Sequence, residues 1–145
     1  MSAKDSNPKD IAGSKKPPIC TMPATVLTEV GVAMMEGSRK YGHFNWRAIG
    51  VRASVYYDAV WRHLGAWFEG EDLDPDSGCS HIVKAIAGLM ILRDAQIQGM
   101  CEDDRPPKSV EGWMAEARRQ AESVTTKYPE PVEPFLESNR KEWEK

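Results

Sequence analysis

The sequence predicts an all-α fold, a helical bundle with three core helices and a fourth beside them. Three observations carry that prediction. Apolar residues recur at spacings of three and four along four separate segments. Gly42, Gly70 and Gly99 stand just past the first three apolar runs, where helices stop. No stretch alternates apolar and polar residues over the length of a strand, and no segment repeats.

Taken in order, residues 1–20 read as an extended arm, because "NPKDIAGSKKPP" holds three prolines, a glycine and lysines without periodicity. Thr21 to Lys40 follows as the first helix. Thr21 is placed to cap it, Pro23 sits near the first turn, and Val26, Leu27, Val30 and Met34 form the apolar stripe. A neighbouring stripe carries Glu29, Ala33, Glu36 and Lys40. The second helix spans Arg52 to Glu69, with Tyr56, Ala59, Val60, His63, Leu64 and Trp67 on one face. The third runs from about Ser77 to Gln98 and buries Ile82, Ala85, Ile86, Leu89 and Met90. Ser109 to about Tyr128 is a more polar fourth helix with a narrow edge of Val110, Trp113, Met114 and Ala117. The proline-rich, charged tail "YPEPVEPFLESNRKEWEK" reads as partly flexible. The expected organisation is an arm over 1–20, a helical domain over 21–108, and a helix with tail over 109–145.

Composition narrows the function. The 145 residues are about one domain's worth of chain. A net charge of −3 and a pI near 5.6 argue against duplex DNA or a membrane surface as partner. Cys20, Cys79 and Cys101 lack metal or redox spacing, which suits a reducing compartment. The chain has no apolar run of membrane-spanning length, and "MSAKDSNPKD" is too polar for a secretory signal. A soluble cytoplasmic protein is expected.

The chemistry concentrates in "FEGEDLDPDSGCSH", which packs Glu69, Glu71, Asp72, Asp74, Asp76 and His81 between two apolar segments. Like charges at that density cost free energy unless a cation, a basic partner or water offsets them. Asp72, Asp74 and Asp76 alternate as in a calcium loop, but the EF-hand needs Gly at position six and Glu at position twelve. Counting from Asp72, those positions hold Ser77 and Val83, so that pattern fails. A short turn makes the second and third helices antiparallel neighbours, so Glu69, Glu71 and Asp72 face His81 and Lys84. Such oxygen ligands suit magnesium or manganese, and one imidazole also admits cobalt or zinc. The bland reading is a solvated acidic surface, with Asp76 as no more than the third helix's cap.

His63 lies roughly 12 Å along the axis from Glu71, at about 1.5 Å per residue. It therefore reads as a hydrogen-bonded core residue rather than a ligand to the same ion. Asp94 is too far along the third helix to join His81 and is expected near Asp58 or Arg62. A histidine-aspartate phosphohydrolase site, which needs an adjacent His-Asp pair, finds none. "EGSRKYGHFNW" adds groups for a nucleotide. Lys40 suits a phosphate, Asn45 a base edge, Tyr41 or Trp46 a base face, and Glu36 a metal. Lys15 and Lys16 of the arm offer further positive charge.

Four blocks in order, "NPKDIAGSKKP", "EGSRKYGHFNWR", "ASVYYDAVWRHLGAWFEGEDLDPDSGCSHIVKAIAGLMILRDA" and "DDRPPK", resemble the phage dATP/dGTP diphosphohydrolase family over about residues 7–108. The resemblance implies hydrolysis of purine deoxynucleoside triphosphates to monophosphate and pyrophosphate. In phages that use 2-aminoadenine, this depletes dATP and supplies dGMP. It also implies a distant kinship with MazG-like all-α pyrophosphohydrolases, which place E-x-x-E and E-x-x-D pairs around magnesium. The counterparts here are Glu69-x-x-Asp72 and His81-x-x-Lys84, with a shorter gap; a charged lysine cannot ligate. On this reading Glu36, Glu69, Glu71, Asp72 and His81 hold divalent metal, either Mg²⁺, Mn²⁺ or Co²⁺. Glu71 or Asp72 orients or deprotonates the attacking water. Lys15, Lys40, Tyr41, Asn45, Trp46 and Lys84 bind substrate. A homodimer or tetramer is implied, since MazG-like sites form between subunits. The rivals are a non-catalytic helical binding module and a different dNTP phosphohydrolase.

Overall fold

The computed structural model describes residues 7–144, so residues 1–6 of the expected arm and the final lysine lie outside the described residues. The fold is all-α apart from a two-residue parallel pairing. The chain divides into two compact units, Met1–Arg105 and Pro106–Lys145. Among the described residues no helix is long and apolar enough to cross a membrane.

The arm is not wholly extended. α1 (Pro8–Gly13) forms because Asn7 accepts a hydrogen bond from the Lys9 amide at 2.9 Å and Pro8 occupies the first turn. Six residues leave no hydrophobic period, so only the Asn-Pro pair signalled it. α2 (Ala24–Tyr41) begins after Pro23, not at Thr21. The Thr21 hydroxyl instead donates to the Pro18 carbonyl at 2.8 Å within a 3-10 turn. Gly42 ends α2 with a positive φ of 92°. One further helical turn, α3 (Asn45–Ala48), follows Phe44, a non-glycine residue at φ 58°.

α4 (Ala53–Phe68) and α5 (His81–Ile97) pack side by side, and α2 lies against the other side of α5. α5 is therefore buried on two faces. His81 and Ala85 share one face; Val83 and Ala87 turn to the α2 side, where they meet Val30 and Ala33. This corrects the single face expected from periodicity, since Leu89 and Met90 are about half exposed. Small residues allow the close approach. A Cβ on Gly88 would sit 3.1 Å from Val60 Cγ2. α5 starts at Ser80–His81 rather than Ser77, because Ser77 and Gly78 belong to a turn closed by Asp74. Asp74 Oδ2 accepts from the Ser77 hydroxyl at 2.6 Å and from its amide at 3.2 Å. Asp76 does not cap α5; it pairs with Lys40. β1 (Val51–Arg52) runs parallel to β2 (Cys101–Glu102), tying the start of α4 to the segment after α5.

In the second unit, α6 (Trp113–Lys127) begins after Gly112, and α7 (Arg140–Trp143) closes a small cluster. There Trp143 donates to the Leu136 carbonyl at 3.1 Å and stands edge-on to Phe135.

Candidate functional site

A cavity of about 460 Å³ opens between α2, α3, α4 and α5. Six predicted residues line it: Glu36, Lys40, Tyr41, Asn45, Trp46 and Lys84. Ser38 of α2 and Tyr56 and His63 of α4 add to the polar lining, amid Ala33, Val60, Ala87 and Gly88. That size and mix suit a nucleotide-sized ligand.

Glu36 and Lys40 come together because they are one turn apart on α2. Lys84 reaches Glu36 from α5, with Nζ 2.5 Å from Oε2, and Lys40 Nζ lies against Oε1. Lys40 also donates to Asp76 Oδ2 at 2.9 Å, which pulls the acidic turn toward α2. Hydrogen bonds from Lys40 and Lys84 hold the Glu36 carboxyl below its usual range. Glu36 Oε1 is buried against the Lys40 ammonium as one half of an ion pair. A carboxylate oxygen has two lone pairs, so one remains for another cation.

Trp46 is buried on the cavity wall and anchored from α5. Asp94 Oδ2 accepts from Trp46 Nε1 at 2.6 Å and from Arg47 Nε at 2.7 Å, while Oδ1 accepts from Arg47 Nη2 at 2.9 Å. Those bonds, Arg47 first, hold the Asp94 carboxyl down at about 2. Asp94 therefore meets α3, not Asp58 or Arg62 as expected. A one-turn helix is not stable alone, and this anchor fixes the stretch that carries Asn45 and Trp46. Phe44 packs edge-on against Trp46, and the Arg47 guanidinium covers the Phe44 ring. Burial raises the Tyr56 hydroxyl's pKa, so it stays protonated as a donor.

His63 is hydrogen-bonded and half-buried, as the sequence reading expected, and it also lines the cavity. Its Nδ1 lies 2.9 Å from Nδ1 of His81, whose Nε2 lies 2.7 Å from Glu71 Oε1. The proton positions follow from the tautomer. An ionised carboxylate only accepts, so His81 Nε2 donates to Glu71. In the arrangement where His81 carries that one proton, its Nδ1 accepts and His63 donates there from its own Nδ1. His63 Nε2 is left with a free lone pair and, among the described residues, no hydrogen-bond partner. Burial lowers the His63 pKa, partly opposed by the charge of Asp74. Helix rise separates His63 from the end of α4 at Phe68, beyond which Glu71 lies, but α5 bridges the gap through His81. That bridge was invisible from one helix considered alone.

The other predicted residues stand elsewhere. Glu69 follows α4 and lines a groove with Trp61 and Phe68. The Asp72 side chain is exposed; its carbonyl accepts the His81 amide at 3.0 Å. Lys15 stands exposed after α1 and does not line the cavity. Among the described residues, no three His, Cys, Asp or Glu side chains are grouped to hold a metal ion. Glu36 stands in the cavity with the two lysines, while Glu71, Asp72 and His81 stand at the turn.

The family model described as dATP/dGTP diphosphohydrolase, N-terminal, matches residues 6–105, which contain every residue of the cavity. The chain belongs to that family. A dATP/dGTP diphosphohydrolase of Salmonella phage PMBT28 is 31% identical over 77 residues, 53% of this chain and 26% of the relative. The chain thus covers about a quarter of that relative's length. No solved structure matches it. For this member of the dATP/dGTP diphosphohydrolase N-terminal family, the matched region is the unit built from α2 to α5.

Proposed function

We propose that the cavity hydrolyses purine deoxynucleoside triphosphates, dGTP and dATP, to monophosphate and pyrophosphate. The observation that carries the reading is the meeting of two lysines and a carboxylate with Asn45, Trp46 and a histidine bearing a free nitrogen, all around one cavity. Lys40 and Lys84 balance the phosphates. Trp46 offers its face and Asn45 its amide to the base. His63 Nε2 takes a proton from the water that attacks the α-phosphorus. Its Nδ1–H stays donated to His81, and His81 stays donated to Glu71, so the positive charge on His63 is offset by Glu71 through His81 and by nearby Asp74.

A divalent ion suits this arrangement. Magnesium is commonly held by one or two carboxylates plus substrate phosphates, not by an all-protein cage. Glu36 is the cavity residue to hold it, and Glu71 and Asp72 are the carboxylates at the turn. Bound there, Mg²⁺, Mn²⁺ or Co²⁺ would neutralise phosphate charge and polarise the phosphoryl oxygens. Glu69, turned to the other groove, is left out of this reading.

The named activity of the phage relative and the family description support it. A homo-oligomer in a phage-infected cytoplasm, where dGMP feeds synthesis of 2-aminoadenine nucleotides, is part of the same proposal. The test is incubation with dGTP and Mg²⁺, Mn²⁺ or Co²⁺. Metal-dependent dGMP and pyrophosphate are expected, with turnover abolished by EDTA. Deoxyguanosine and triphosphate would instead reveal a triphosphohydrolase. No turnover and no nucleotide binding would leave a helical binding module.

A further inference from the structure

α4 carries more apolar surface outward than a helix of a lone bundle needs. Tyr57, Trp61 and Phe68 are 66%, 64% and 82% exposed, and Leu64 and Trp67 are each 43% exposed. Aromatic side chains present about 150–250 Å² each, so this face leaves on the order of 500 Å² of apolar surface in water. That is a large share of the roughly 800 Å² per partner in a standard interface. A separate groove, distinct from the catalytic cavity, runs along the second half of this helix between Trp61 and Glu69.

The pattern of that groove selects its occupant. Gly65 lies at its centre, and the Trp61 ring lies over it, 3.9 Å from where a Cβ would stand. At 100° per residue, Trp61 and Phe68 flank Gly65 on one side and Arg62 and Glu69 on the other. Each pair is separated by seven residues, two helical turns. Neither Arg62 nor Glu69 forms an ion pair among the described residues. A two-fold axis that lays α4 antiparallel on another α4 brings like flanks together with their direction reversed. Arg62 then meets the partner's Glu69 and Glu69 meets the partner's Arg62. Trp61 meets the partner's Phe68 on the other flank. One operation satisfies both sets, as an isologous interface requires.

We infer that the α4 groove is a self-complementary dimer interface, closed by a second copy of this chain about a two-fold axis through Gly65. The inference rests on the homo-oligomer part of the proposed function and names its surface; it does not depend on the reaction. Opposite charges on one helix give this chain its own best-matched partner and discriminate against others.

The test is a dilution series by analytical ultracentrifugation on full-length wild type, Arg62→Glu and Glu69→Arg, with circular dichroism to confirm the helical fold. Wild type should dimerise. Each reversal turns two attractions into two repulsions and should weaken dimerisation roughly tenfold or more. An equimolar mixture of the two variants should restore wild-type affinity. In the mixed dimer the introduced glutamate faces the introduced arginine, and the unchanged Glu69 of one copy faces the unchanged Arg62 of the other. A wild-type monomer, or a mixture no tighter than either variant alone, would overturn the inference. Turnover of dGTP is measured separately, so loss of the interface and loss of the proposed reaction are read independently.

Discussion

The hydrogen-bonded chain from His63 through His81 to Glu71 makes a prediction that separates a network positioning His63 from a merely buried polar group. His81 is 4% exposed and the only buried polar side chain among the described residues. Replacing it with leucine leaves His63 Nδ1–H without its acceptor, a loss of about 1–3 kcal/mol where water cannot reach. Glu71 returns to solvent at little cost, since its side chain is already 54% exposed. Leucine fills the volume and offsets part of the penalty, so the net loss is about 1–2 kcal/mol. For a domain of this size each kcal/mol lowers the unfolding midpoint by roughly 4–8 °C. A fold stabilised by about 5–15 kcal/mol stays folded at 25 °C. Activity should respond far more strongly, because an unanchored His63 loses both its tautomer and its orientation. General-base catalysis typically contributes about 10²–10⁴-fold, and a kcat loss in that range is expected for His81→Leu. His81→Gln is the discriminating variant. Its amide nitrogen can donate to Glu71 and its oxygen can accept from His63, so both bonds survive without a titratable ring. Gln should exceed Leu in kcat by at least about tenfold at matched pH. Equal activity in the two variants, or Leu retaining wild-type kcat, would refute the positioning role of His81.

The remaining expectations are shorter. Lys84→Met should raise the KM for dGTP by about tenfold and weaken pyrophosphate binding by calorimetry, with a smaller effect on kcat, since Lys84 is assigned to phosphate charge. Asp94→Ala should raise KM and blunt the preference for purine over pyrimidine triphosphates, because Trp46 and Asn45 lose their anchor; an unchanged preference would remove Asp94 from base recognition. The same carboxyl predicts an acid limb. Its folded pKa lies near 2 against an ordinary 3.8, so its contribution is present above about pH 4 and fades as pH falls toward 2. Urea unfolding across that window should show the slope in wild type and a shallower one in Asp94→Ala. Gly50→Ala should lower the urea midpoint by an amount worth about 1–2 kcal/mol from the left-handed backbone alone. Its Cβ would also stand 2.8 Å from the Met100 carbonyl oxygen that accepts the Val51 amide.

Most of the helices were legible because a periodic apolar stripe is a local property. What escaped was set by neighbours. α5 shows small residues on two faces, and no single stripe can report that. Leu64 and Trp67 read as core because they share the spacing of Val60, yet no helix of the described bundle covers them. α1 and α3 are too short for any period to register. In the cavity, the residues found from sequence were those within one chain segment, Glu36 to Trp46, with Lys84 added by helix pairing. His63 was set aside because distance along one helix is a poor measure when a second helix bridges it. Asp94 was misplaced because its partners lie on a single turn whose existence the sequence does not signal. Tyr56 went unnoticed because an aromatic on an apolar stripe looks like core, and only the cavity distinguishes it.

The charge balance of the cavity also argues for a cation arriving with the substrate. Lys40 and Lys84 are matched one for one by Glu36 and Asp76, and all four are joined by direct ion pairs. The paired lysines and carboxylates of the cavity therefore leave no surplus positive charge to attract a triphosphate. A polyanion entering alone must either pull the lysines away from two carboxylates or lie beside those carboxylates unneutralised, and like charges in a partly dry site repel strongly. A substrate that enters with a divalent ion meets a different balance. Glu36 would hold such an ion, and Lys40 and Lys84 would be freed toward the phosphates. The same reasoning gives Lys84, expected to bind substrate, a second role. As an ammonium it cannot ligate, but with Lys40 its charge keeps Glu36 ionised, below its ordinary carboxyl range, and ready for a cation.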